Sequence, residues 1–150
     1  MPNLLDLGPG DAPALARFEC RSFGEPWSAQ VQELIRNELP EAIARGVTNG
    51  IGLWSDAGEL VGVVAWLQMD GNPDVASIPV LSVAVGHHRQ GYGLTLKTEV
   101  LARARRAGCV VALSSVHEDN EPMLRLNQRL GARLERDPAH PTYLDCTIDL

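Results

Sequence analysis

The sequence predicts a single domain of mixed α/β (α+β) class, and three observations carry that reading. Runs rich in β-branched and apolar residues follow one another over Ile51–Ser55, Glu59–Met69 and Val75–Val85, the first two joined by the hairpin triplet Asp56-Ala57-Gly58. Two stretches of helical periodicity, Gly91–Ala107 and Asn120–Leu130, are each closed by a glycine and interleaved with strand-like segments. At 150 residues the chain is long enough for one core, able to bury roughly 70% of its unfolded surface, and it contains neither a repeat nor a low-complexity linker.

Taken in order, Asn3 to Leu7 reads as a short first strand that Gly8-Pro9-Gly10 ends. Asp11 is placed to cap a helix that turns Leu15 and Phe18 inward, and Ser28 to cap the next, with Val31, Leu34, Ile35 and Leu39 at helical spacing. Pro40 is expected to begin a separate short turn closed by Gly46. The strand pair over Ile51–Met69 is antiparallel, Asp70 to Asp74 forms a loop, and Val75–Val85 is a third strand. There Pro79 cannot donate a ladder hydrogen bond and so marks a bulge or splayed edge.

The helix Gly91–Ala107 puts Leu94, Leu101 and Ala104 on one stripe and ends at Gly108. Cys109–Val116 is a short buried strand. Asn120 and Pro122 are cap and first-turn residues of a helix bearing Met123, Leu126 and Leu130, after which Gly131 supplies a left-handed position. A loop at Asp137 to Pro141 separates the last two strands, the second of which alternates Leu144, Cys146, Ile148 and Leu150 with polar neighbours.

Composition narrows the partners. A hydrophobic fraction of 45% and a charged fraction of 21% are those of a globular protein. A net charge of −6 argues against non-specific binding to nucleic acid or to anionic membranes, both of which need a basic surface. Cys20, Cys109 and Cys146 have neither CxxC spacing nor a nearby histidine at zinc-ligand spacing, so no metal and no disulfide framework is expected. The amino terminus has acids where a secretory signal needs bases, which with the lone cysteines predicts the cytoplasm. Lys97 is the only lysine, a choice that reads as arginine-favouring codon usage. Nothing in the sequence indicates a homodimer.

The chemistry-bearing stretch is VAVGHHRQGYGLTLKTEVL, Val83 to Leu101, where a strand passes through a glycine-containing knot into a helix. Such a junction presents backbone N–H groups and the positive end of a helix dipole to one point, which suits a phosphate. Gly86 and Gly91 have the P-loop glycine spacing, but Tyr92 and Gly93 stand where its lysine and hydroxyl residue belong; the dinucleotide fingerprint would need a glycine at Leu96.

His88-Arg89-Gln90-Gly91-Tyr92-Gly93-Leu94 instead resembles the acyl-CoA loop of the GNAT N-acetyltransferase superfamily. Val116, Asn120, Met123 and Asn127-Gln128-Arg129-Leu130-Gly131-Ala132 resemble its second motif. The resemblance implies a mixed, mostly antiparallel sheet with splayed central strands and about four flanking helices. It implies acetyl-CoA or another acyl-CoA as co-substrate and a small-molecule or peptide amine as acceptor, attacked directly in a ternary complex. The rival reading is a non-catalytic acyl-CoA-binding or sensor domain of the same fold.

By the same resemblance, Val83, Ala84 and Val85 pair with the pantetheine arm and offer an N–H to the oxyanion, and the amides from Arg89 to Leu94 hold the pyrophosphate. Arg89 either adds charge there or faces solvent. Asn120 reaches the pantetheine, caps its helix, or does both. The sequence departs from the family pattern at Gly86, usually proline; at His88, usually arginine or glutamine; and at Ala132, usually phenylalanine. Asn127 stands where many members place the tyrosine that protonates the departing thiolate, so it is expected to hydrogen-bond the sulfur instead, with Tyr143 as a substitute acid. His117 and Glu118 are the nearest candidates for a base; Asp70, Asp74 and Glu25 are less favoured, and Trp27 is placed to shape the acceptor pocket.

Overall fold

A computed structural model of the chain describes residues 2–20 and 27–150, apart from the side chains of Trp27 and Ser28. The expected cap at Ser28 and the residues Glu25 and Trp27 therefore lie, as side chains, outside what is described. The described strands form one sheet in the order β1-β2-β3-β4-β5-β7-β6. They are β1 (Asn3–Asp6), β2 (Asn49–Trp54), β3 (Leu60–Met69), β4 (Asn72–Val83), β5 (Val111–His117), β6 (Arg133–Asp137) and β7 (His140–Asp149). All neighbours pair antiparallel except β4 and β5, which run parallel.

Helices cover both faces, and β3 shows why. Its run LVGVVAWL is buried on both sides, so alternate residues serve different cores. Val64 and Trp66 join the cluster built on Leu96, Val100 and Ala104 of α4 (Tyr92–Arg106), whereas Val63 and Ala65 join Leu15, Phe18, Ile35 and Leu39 from the amino-terminal helices. Those helices are α1 (Ala12–Ala16), α2 (Trp27–Glu33) and α3 (Leu39–Ala44); α5 (Glu121–Arg129) completes the set.

Three expectations change. Pro40 starts no separate turn: α2 runs through a π-helical stretch, Leu34–Glu38, directly into α3, with Pro40 in its first turn. A proline lacks its N–H and crowds the carbonyl four residues back, and the wider π turn relieves both. Gly46, at φ 71°, does close the helix. Asp11 caps no helix with its side chain; its Oδ2 instead accepts from the Gly8 N–H at 2.8 Å, across a short 3₁₀ turn. The loop Asp70–Asp74 is in fact a two-residue Asp-Gly turn, because Gly71 adopts φ 74° and Met69 already pairs with Asn72.

The bulge expected at Pro79 is present: pairing steps from Ala65↔Val80 to Leu67↔Ser77, leaving an extra residue on β4. It coincides with a parting of strands. β4 and β5 pair only over Val75↔Val111, Ala76↔Ala112 and Ser77↔Leu113, while β5 continues beside β7 as far as His117↔Tyr143. From Ile78 to Val83 the edge of β4 turned away from β3 has no strand beside it among the described residues, a window about 20 Å long at ~3.3 Å per residue. At the far end the chain closes it again: Cys20 bridges Ala84, and the Val85 N–H donates to the Glu19 carbonyl at 2.8 Å.

Candidate acyl-transfer site

The window leads into the loop between β4 and α4. Gly86, Arg89 and Gly91 all have positive φ, at 87°, 64° and 77°. Glycine takes that conformation freely, but in Arg89 it costs about 1 kcal/mol, a strain tolerated next to the turn that aims the first amides of α4 outward. Gly91 is the N-cap of α4 and offers no side chain; the first internal bond is Thr95 N–H to the Gly91 carbonyl. The N–H groups of Tyr92, Gly93 and Leu94 thus lack acceptors within the helix and converge with the dipole.

His87 is half-buried and stacks on Tyr92 with ring centroids 6.3 Å apart. It lines a groove of about 520 Å³ together with His88, Arg89 and the residues Gly91 to Leu94. Leu81 and Val83 form its floor and Pro122, Met123 and Leu126 of α5 its opposite wall. Gln90 does not line it, and Ala84 and Val85 face a different cavity beside Phe18 and Trp54. The Val85 N–H is already held by Glu19. Because the Ala84 N–H donates back to Val61 on β3, alternation turns the amides of Leu81 and Val83 into the window.

At Leu81, Asn120 and Met123 the groove runs on into an inner cavity of about 210 Å³. Asn120 caps α5, its Oδ1 accepting from the Met123 N–H at 3.3 Å. Asn127, one turn beyond Met123 on α5, is wholly buried. It lines the same cavity; its Nδ2 donates to the Met123 carbonyl at 2.9 Å, and its buried Oδ1 has no hydrogen-bond partner among the described residues. The unpartnered oxygen is an acceptor, which suits an occupant that brings a donor. Such an orphaned buried oxygen fits a site completed by a ligand.

Tyr143 of β7 also lines the inner cavity, and His117 packs edge-on against its ring at 5.2 Å. His117 itself stands behind Tyr143 rather than in the cavity lining; its Nδ1 accepts from the Asp119 N–H at 3.1 Å. Glu118 is paired with Arg136 at 2.7 Å. Asp70 and Asp74 sit at the hairpin end of β4, the opposite end from the groove. Among the described residues no group of three or more His, Cys, Asp or Glu side chains is arranged to hold a metal, and no helix is long and apolar enough to cross a membrane.

Two side chains in the inner cavity escaped the sequence reading. Lys97 of α4 is only 2% exposed and donates from Nζ to Ser114 Oγ of β5 at 3.2 Å. Burial pulls its ammonium down to about 8, although the Cys146 thiol nearby works weakly the other way. The signal was present: Lys97 is three and four residues before Val100 and Leu101, which places it on the buried stripe of α4.

A sequence profile of the Acetyltransferase (GNAT) family matches residues 12–132, from α1 to just past α5. The chain belongs to the GNAT acetyltransferase family. Solved structures extend the likeness over the whole GNAT fold. The PaiA N-acetyltransferase of Thermoplasma acidophilum, solved with coenzyme A, superposes at a TM-score of 0.82 with 15% identity, covering 100% of this chain and 99% of that one. The GNAT domain of a protein named PAT from S. lividans gives 0.79 with 18% identity over 99% and 90% of the two chains. An acetyltransferase of Bacillus subtilis, also solved with coenzyme A, gives 0.65 with 17% identity over 88% and 99%. No curated protein matches this GNAT sequence significantly.

Proposed function

We propose that this GNAT protein is an N-acyltransferase that moves an acetyl group from acetyl-CoA to an amine of a small molecule or peptide by direct attack in a ternary complex. The observation that carries the reading is the continuity of three features in one groove: the left-handed loop with its converging amides, the unpaired edge of β4 at Leu81 and Val83, and the inner cavity with the orphaned Asn127 oxygen. Each matches a different part of one ligand. The loop suits a pyrophosphate, the strand edge suits the two amides of an extended pantetheine arm, and the inner cavity suits the thioester. Two of the solved relatives were obtained with coenzyme A, which supports the same choice.

In that arrangement the amides of Leu81 and Val83 are the groups available to the oxyanion of the tetrahedral intermediate, in place of Val85, whose N–H is committed. Asn120 and Met123 stand where groove and cavity meet and would orient the arm between them. The three free, buried cysteines suit a reducing compartment such as the cytoplasm.

The test is release of free thiol from acetyl-CoA across a panel of small amines and peptides, alongside CoA binding by calorimetry. Gly91→Glu is expected to abolish CoA binding while the protein stays folded. The position is open, with no atom within 4 Å of an added Cβ, so the carboxylate projects toward the phosphate site and the fold bears only the cost of a left-handed residue. Unchanged affinity would remove the central claim, and tight CoA binding with no thiol release on any acceptor would favour a sensor.

A further inference from the structure

We propose that Lys97 is a catalytic residue of this reaction, the group that neutralises and protonates the departing CoA thiolate in place of the tyrosine this chain lacks. The inference rests on the acyltransferase reading above and adds the residue that completes it.

Three observations carry it. First, the ammonium is buried at the wall of the inner cavity, in company with Asn127, Ser114 and Tyr143, where the groove ends. Second, it is under-partnered. Of its three N–H groups one meets Ser114 Oγ, and among the described residues no carboxylate lies within ion-pair distance. A buried cation without a counter-ion is costly to the folded state, and the open side of the cavity is where an anion would relieve it. Third, Asn127, which lines the same cavity, carries a neutral amide with no acidic proton, so it can hydrogen-bond sulfur but cannot protonate it.

Among the described residues, two further titratable groups face Lys97. Cys146 of β7 has a thiol that burial pushes up, which leaves it uncharged beside the lysine, and Tyr143 is the other. β4 contributes Ile78 to Leu81 and α5 contributes Met123 and Asn127, none of them titratable.

The step balances as follows. The acceptor nitrogen bonds to the thioester carbonyl carbon, the C–S bond breaks, and its electron pair goes to sulfur. Lys97 gives sulfur a proton, leaving CoA thiol and a neutral lysine. The acceptor nitrogen releases one proton to solvent as it becomes an amide, and Lys97 regains one from solvent. With its ammonium near 8 and a thiol reference near ~8.5, the transfer is close to even. The stabilisation appears only as charge develops on sulfur, which is where it accelerates the reaction.

The test needs no knowledge of the acceptor. CoA itself is bound to the native protein and to Lys97→Met, and the thiol is titrated through the ultraviolet absorbance of its thiolate. Expected is a bound thiol at least about tenfold more acidic in the native complex than in the variant. Identical titrations in the two complexes would overturn the proposal while leaving CoA binding standing. Failure of the native protein to bind CoA would overturn the acyltransferase reading along with it.

Lys97→Met removes a lone buried charge and is expected to melt at or above the native temperature, which separates a chemical role from a structural one. On an amine that the native protein acetylates, the variant is expected to keep its CoA affinity and lose about 10²-fold in kcat, with the loss smallest at high pH, where the native lysine is itself neutral. Unchanged kcat would also overturn it.

Discussion

The amide of Asn127 gives one N–H to the fold and leaves its oxygen unpartnered among the described residues, and the two halves predict different losses. Replacing it with leucine keeps the volume and deletes the orphaned oxygen, so stability is expected to change by no more than about 1 kcal/mol. CoA affinity, measured by calorimetry, is expected to fall about fivefold or more as the acceptor disappears. Equal affinity would mean that Oδ1 does not face the ligand. Lys97 makes a pH prediction of known sign. Its ordinary value of 10.5 falls to about 8 on folding, so between these the unfolded chain holds more protons and stability rises with pH. Denaturant midpoints near pH 8 and near pH 10.5 are expected to show the native protein gaining up to about 3 kcal/mol relative to Lys97→Met, a comparison in which other groups cancel. Asn127 was legible in the sequence because the motif names its position. Lys97 was not, because a single lysine looks like a surface residue until the stripe of α4 is followed strictly through position 97.

At the level of elements, α5 ties stability to binding through its cap. Asn120→Ala removes the bond to the Met123 N–H and is expected to cost about 1 kcal/mol in thermal or chemical unfolding, with weaker CoA binding. Asn120→Asp keeps the cap, so retained stability with lost affinity would assign the side chain's amide to the ligand. Local chemistry made several elements readable. The glycines at positions 46, 91, 108 and 131 end or begin helices where the sequence placed them, and each has positive φ. Pro79 betrayed its bulge by lacking a donor. What local chemistry could not show is that β5 leaves β4 at Ser77, since that parting depends on residues about 36 positions apart pairing for only three steps. The Asp70-Gly71 turn could have been read; Pro73, tolerated at the start of the strand, disguised Asn72 to Asp74 as loop.

Over the whole molecule, the acyl-CoA proposed above would bridge a sheet whose β4 and β5 part after Ser77. CoA at a hundred times its dissociation constant stabilises the folded state by about 2.7 kcal/mol, which for a domain of this size is a rise in melting temperature of roughly 5–10 °C. Gly91→Glu is expected to show none of it, and a native protein that shows none either would not be a CoA protein. The strap of Glu19 and Cys20 across Ala84 and Val85 has a further consequence, for solubility. An unpaired strand edge is an invitation to other chains, and most proteins blunt such edges at the rim of a sheet. Here the exposed amides lie between β5 at one end and the strap at the other, so a second polypeptide strand cannot slide along β4 without meeting a stop. An opening bounded at both ends suits a thin, flexible arm better than the broad ribbon of another chain, so this unpaired edge is a poorer template for aggregation than an open rim would be.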